Sequence, residues 1–292
     1  MYNYLLGLLG LVGVAFTSIS EAEVNRIVSV GGSISEWVIA LDGENKLVGV
    51  DTTSLYPKQL TQLPKVGYQR QLSAEGVASL KPEVLLGTNE MGPPNVLEQI
   101  KTLGIKVEVL SNKADLETVR HNLLVIGDLL GKGPQAKILY DNYQAELAKY
   151  TSQVAQVQNK QAKPNVLLAI GFSGNLLVAG QETTGDWLIN KAGGNNVVTF
   201  NSYKVLANEA LVALNLDIIL LANTGGVTDK ELVANLIKTN PSLQLTKAVQ
   251  QNKVIMLDAS LLVAGLGPRI PSEVNRLMNI FYNLPTSADS NH

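Results

Sequence analysis

The sequence has no cysteine. That absence excludes thiol nucleophiles, cysteine-ligated zinc, iron–sulfur clusters and disulfide frameworks. It also removes the lipidated cysteine that would tether an exported chain. Histidine is nearly missing: of two, His121 falls in an expected helix and His292 is the last residue. A zinc site of several histidines or a Ser-His-Asp triad has nothing else to recruit. No G-x-S-x-G, P-loop or H-E-x-x-H motif occurs, which argues against an α/β enzyme. Charged residues make up 16% and the net charge is −2. There is no basic stripe for nucleic acid and no acidic tail. Aromatic residues are only 5%. No stretch reaches the ~20 consecutive apolar residues that span a bilayer.

The nearest approach is the apolar run from Leu5 to Phe16. It has the length of a secretory h-region, and Ser20-Glu21-Ala22 supplies a small-x-small cleavage site. The leading "MYNY" lacks the usual Lys or Arg. The expectation is a signal peptide over residues 1–22. An exported chain without a lipid tether needs a second membrane to retain it, so the expected location is a periplasm.

What remains is rich in core-forming residues: 46% of 292 are apolar, enough for one large or two medium domains. "NRIVSV" reads as a strand. "GGSISEWVIALDG" reads as a helix entered through Gly31-Gly32, with Ser33 to Glu36 fitting a capping box. "KLVGV", "EVLLGT" and "IKVEVL" are further strands, alternating with the helices "SAEGVASLKP" and "NVLEQIKTLG". Strand–helix alternation predicts parallel sheets with helices on both faces. Pro134 then opens a helix of more than 20 residues, with apolar Ile138, Tyr140, Leu147, Val154 and Val157. It reads as a rigid strut, closed by the polar "NKQAKP". After it the α/β pattern restarts with "NVLLAI", a loop "GFSGN" and a helix "GDWLINKAGG".

The restart contains an echo. "LSAEGVASLKPEVLL" (72–86) aligns without gaps to "LANEALVALNLDIIL" (206–220), matching Glu75 to Glu209 and Glu83 to Asp217. The predicted architecture is therefore two Rossmann-like α/β lobes with a ligand cleft between them. The N-terminal lobe spans 23–132, the linking helix 133–160 and the C-terminal lobe 161–292.

With these motifs in view, the chain resembles periplasmic substrate-binding proteins of the metal-chelate type, which serve ABC importers of haem, corrinoids and ferric siderophores. "GYQRQLSAEGVASLKP", "GPPNVLEQIKTLGI", "GDWLINKAGGNN" and "GPRIPSEV" carry the resemblance. Gly-Tyr-x-Arg before the helix is similar to the haem-binding members in particular. The resemblance implies ferric haem b as cargo. It also implies an inner-membrane permease dimer with its ATPase as partner, a monomeric binding protein, and permease docking through Glu75 and Glu209.

It further implies that Tyr68 holds the haem iron. Haem iron is held by His, Cys, Met or Tyr, and the first two are all but missing. Ferric iron is a hard cation that favours anionic oxygen, and Arg70 is placed to stabilise a phenolate. On spacing alone, a loop tyrosine near an arginine is usually just packing. Some haem-binding relatives supply a histidine after the first strand of the second lobe, but here "AIGFSGN" has none. Met91 is the expected second axial or haem-face contact. Arg70, Arg269 and the N–H groups after Gly31-Gly32 are expected to meet the haem propionates. Arg269 has an alternative role bracing the C-terminal helix. Trp187 and Phe172 are candidates to stack on the macrocycle. A corrinoid or ferric siderophore is the alternative cargo in the same architecture.

Overall fold

A computed structural model of the chain describes residues 23–172 and 175–285. The expected signal peptide, residues 1–22, lies outside the described residues. In the N-terminal half, β1 (Ile27–Ser29), α1 (Gly32–Ala40) and β2 (Leu47–Val50) are followed by two short strands, β3 (Gly67–Tyr68) and β4 (Gln71–Leu72). Next come α2 (Ala74–Ser79), β5 (Val84–Thr88), α3 (Pro94–Thr102), β6 (Lys106–Leu110) and α4 (Leu116–Leu129). The long helix α5 is Gly133–Gln158. Beyond it lie β7 (Asn165–Phe172), β8 (Asn175–Ala179), α6 (Thr184–Lys191), β9 (Asn195–Asn196), β10 (Tyr203–Val205) and α7 (Asn208–Ala213). β11 (Ile218–Asn223), α8 (Asp229–Thr239), α9 (Lys247–Gln250), β12 (Val254–Asp258) and α10 (Ile270–Phe281) complete the chain.

The first lobe has a parallel sheet in the order β2-β1-β5-β6. The second is built on parallel β7, β11 and β12, with β8 and β10 added antiparallel at one edge. In the segment read as the loop "GFSGN", Gly171 and Phe172 belong to β7 and Asn175 opens the antiparallel β8.

The echo in the sequence is an echo in the fold. In the gapless alignment, α2 falls on α7 and the start of β5 on the start of β11. Successive strand residues face opposite sides, and the repeats keep the same sides. Val84 and Leu86 of β5, like Ile218 and Leu220 of β11, join one shared core. Leu85 packs on the far face of its own sheet, as do Ile219 and Leu221 on theirs. The matched acids agree at the atomic level. Glu83 accepts the Asn25 N–H at 3.0 Å, and Asp217 accepts the Asn165 N–H at 2.9 Å. Each ties down the backbone just before or at the start of the neighbouring strand.

The shared core runs unbroken from Ile27 and Trp37 in one lobe to Val166 and Phe281 in the other. α5 crosses it with Ala136, Tyr143, Leu147 and Val154 buried. These recur at near-helical spacing and form its inward stripe. Ile138, expected on that stripe, is 60% exposed, and Tyr143 takes the inward place instead. Trp37 meets Tyr143 edge-on at 5.4 Å between ring centroids, and its indole N–H donates to Leu266 O at 3.0 Å. One tryptophan of α1 therefore touches both the strut and the second lobe.

Candidate ligand cleft

The segment Ala259–Gly265 returns from β12 to lie against the start of α1. Ser33 Oγ donates to the Val263 carbonyl at 2.7 Å and the Gly265 carbonyl at 3.0 Å. Gly31 has φ +98°, and a Cβ there would stand 2.5 Å from that of Ala264. The capping box expected at Ser33 is therefore not formed: its hydroxyl crosses to the other lobe. The helix start after Gly31-Gly32 is closed over as well, since Gly31 N–H donates to Asp51 and Ser33 N–H to Val263. The Gly31 and Ser33 donors are therefore taken by the protein itself.

Above this floor a cleft of about 710 Å³ opens between the lobes, within the range of small-molecule sites, roughly 300–1,000 Å³. Tyr68, Gln69, Arg70 and Glu90 line one wall, and Thr183, Thr184, Ser202 and Tyr203 line the other. A second hollow of about 570 Å³ adjoins it through Thr224, Ala259 and Val263, but no tyrosine or cation lines it.

Tyr68 stands on a two-strand hairpin in which Gly67 pairs with Leu72 and Tyr68 with Gln71. Gly67 has φ +106°, and a Cβ there would meet Gln71 O at 2.7 Å, so only glycine allows the strands so close. The hairpin is pinned by Thr52 N–H to Gly67 O at 2.9 Å, Leu72 N–H to Gly92 O at 2.9 Å and Gly92 N–H to Gln69 O at 3.0 Å. Val66 and Leu72 anchor it in the core. Tyr68 is left 41% exposed on a fixed base.

Arg70 pairs with Glu90. Burial works against its charge, but the hydrogen bond and charge of Glu90, and the charge of Tyr68, raise its pKa overall. The guanidinium is thus within electrostatic reach of the phenol. Gln69 Nε2 also reaches Glu90, at 3.3 Å. Glu90 follows the carboxyl end of β5, where open α/β sheets place their ligands.

Met91, expected near the iron, is buried at 6% exposure in the N-lobe core. Gly87 makes room for it: a Cβ on Gly87 would stand 2.5 Å from the Met91 sulfur. The cleft residue in "TNEMGPP" is its neighbour Glu90. Arg269 is not on the cleft wall either. It donates to Glu36 at 2.8 and 2.6 Å, to Asp258 at 2.8 Å and to Ser260 at 2.7 Å, and it lies 4.0 Å from the Tyr56 ring centroid. Its expected propionate role gives way to bracing at the start of α10. Trp187 packs half-buried on the shared core with Lys191 over its ring. The Phe172 side chain lies outside the described residues. His121 is exposed on α4. Glu75 is exposed in the first turn of α2, which Ser73 caps by accepting the Gly76 N–H at 3.0 Å. Glu209 belongs to α7, but its side chain lies outside the described residues. Among the described residues no three His, Cys, Asp or Glu side chains gather as a metal site.

Residues 27–261 match the model of the periplasmic binding protein family. The chain belongs to the periplasmic binding protein family. It binds a solute and is not an enzyme. Among solved structures it is similar to a periplasmic haem-binding protein from Pseudomonas aeruginosa, with 47% identity, a TM-score of 0.87, and coverage of 90% of this chain and 94% of that one. It is also similar to the periplasmic haem-binding protein BhuT in complex with two haems, at 34% identity and TM-score 0.79, covering 89% and 98%. Among curated proteins it is 28% identical over 224 residues to the high-affinity haem uptake protein IsdE of Staphylococcus aureus, covering 73% of this chain and 72% of that one.

Proposed function

We propose that this binding protein captures ferric haem in the cleft between its lobes, in a periplasm, and hands it to an ABC importer. The observation that carries the reading is Tyr68. It is an exposed phenol on a pinned hairpin, opening into the cleft, with a guanidinium at its flank. A free phenol titrates near 10. Fe(III) displaces its proton, and Arg70, shared between Glu90 and the phenolate, offsets the negative charge. A single anionic oxygen suits Fe(III) better than Fe(II), which fits capture of oxidised haem outside the cytoplasm. The similarity to haem-binding proteins along nearly the whole chain supports the same cargo.

Glu75 and Glu209, at matching places on the two lobes, are the proposed contacts with arginines of an inner-membrane permease dimer. Arg70 keeps its proposed ligand role, as support for the phenolate. The test is an absorbance titration with haemin beside Tyr68→Ala. Wild type should give tyrosinate-to-iron charge-transfer bands that the variant lacks; unchanged spectra and affinity would sink the assignment. Tight binding of cobalamin or a ferric hydroxamate in place of haemin would move the protein to the alternative cargo.

A further inference from the structure

The wall of the cleft facing Tyr68 contains an unused set of hydrogen-bond donors. α6 is a helix of eight residues, Thr184–Lys191, whose N-cap Thr183 accepts the Asp186 N–H at 3.1 Å. The first helical N–H, that of Thr184, makes no hydrogen bond among the described residues, and that of Gly185 turns toward the Tyr203 hydroxyl. The helix start is held against the sheet because Gly185 has no side chain: a Cβ there would stand 2.8 Å from that of Ala179. Thr183 and Thr184 are buried and line the cleft.

Tyr203, on β10, points its phenol at this helix start. The oxygen is shut off from solvent and makes no hydrogen bond of good geometry. The Thr183 hydroxyl and the Gly185 N–H are the polar groups close to it. A buried hydroxyl without a partner costs stability. Burial pushes the Tyr203 pKa up to about 12, with the Glu90 carboxylate adding to that, against the smaller pull of Thr183 and Gly185. At neutral pH it is therefore a proton-bearing donor, not a second phenolate. The positive end of the helix and a neutral hydroxyl converge on one spot.

We infer that the start of α6 together with Tyr203 Oη forms a carboxylate-binding pocket in the C-terminal wall of the cleft. The free Thr184 N–H, the Gly185 N–H beside the phenol and the Tyr203 hydroxyl are its donors. Two carboxylates of the protein line the same cleft. Glu90 is already held by Arg70 and Gln69, and Glu182 is exposed. On the haem reading, on which this identification of the ligand rests, the occupant is a haem propionate. Tyr68 of one lobe then holds the iron while the other lobe holds the edge of the ring.

The test compares haemin with its dimethyl ester in the same detergent buffer, for wild type, Tyr203→Phe and Thr184→Pro. Proline is tolerated at the first helical position and deletes one donor, and Thr183 already has the extended backbone a following proline requires. Either substitution should weaken haemin by about tenfold, the worth of a hydrogen bond to a charged group. It should leave ester affinity and the charge-transfer bands unchanged. Equal losses for acid and ester, or no loss for either, would overturn the pocket. A second arm does not depend on haem: succinate is titrated into the free protein while the Thr184 and Gly185 amide resonances are followed. They should shift downfield in wild type and stay still in Tyr203→Phe. If haemin does not bind at all, the haem reading falls, and the amide shifts alone decide the pocket; amides indifferent to succinate would overturn it.

Discussion

Arg269 holds the buried carboxylate of Glu36 through two hydrogen bonds, from Nε at 2.8 Å and from Nη2 at 2.6 Å. Glu36 is only 4% exposed, and the pair joins α1 of one lobe to the start of α10 of the other. Removing one partner of a buried pair strands the second charge. Arg269→Ala should cost about 3–5 kcal/mol, read as a lowered urea midpoint, while Arg269→Lys should recover only part of it because the two-pronged contact is lost.

The same pair gives a signed pH effect. Burial raises the Glu36 pKa above its ordinary 4.5, against the opposing pull of Arg269. A raised folded value means that the stability linked to this group is fully present below about 4.5 and is lost as pH rises through the folded value. Glu36→Gln has no such loss. Its melting temperature should therefore gain on that of wild type between pH 4 and pH 7. A gap that stays constant across that range contradicts the raised pKa. Asp258 works the other way. Burial raises its pKa, but Ser260 and Arg269 outweigh that and lower it overall, so its contribution fades only as pH falls through the lowered value. That fading must be subtracted with Asp258→Asn.

Glu90 competes with a Tyr68 phenolate for Arg70. The pair is largely exposed on the arginine side, so it is worth only about 0.2–1 kcal/mol. Glu90→Gln should tighten haemin binding by about two- to fivefold and leave the charge-transfer bands in place. A loss of affinity would show that Glu90 orients Arg70 instead of competing for it.

Gly31→Ala combines a disfavoured backbone angle with a clash across the lobes. The expected cost is about 1–3 kcal/mol, measured by denaturant unfolding. A silent substitution would mean that the Ala264 segment moves aside easily.

Glu75→Ala and Glu209→Ala should leave haemin affinity unchanged. They should reduce stimulation of the transporter ATPase in reconstituted vesicles, the double variant most. Normal stimulation by the double variant would end the docking assignment.

The lobed α/β plan was legible because apolar strands and capped helices repeat in order. The pairing of Glu75 with Glu209 and of Glu83 with Asp217 was legible because one unit is written twice. Tyr68 was visible through its neighbours Gly67 and Arg70. What stayed hidden depends on contacts distant in sequence. Ser33 looks like a helix cap until Val263 arrives beside it, and Arg269 looks free until Glu36 claims it. Met91 and Glu90 are adjacent, and the hole above Gly87 decides which of them turns inward. Tyr203 gave no signal, because β8 and β10 return antiparallel through sequence that reads as loop.

The core that runs without a break from Trp37 to Phe281 bears on how a full molecule differs from an empty one. Lobes that share one interior do not swing like a hinged jaw, so the slot has nearly the same width before and after loading. Arrival of cargo then requires little ordering of the chain. A receiver that must distinguish loaded from vacant carriers has to sense the exposed rim of the cargo itself.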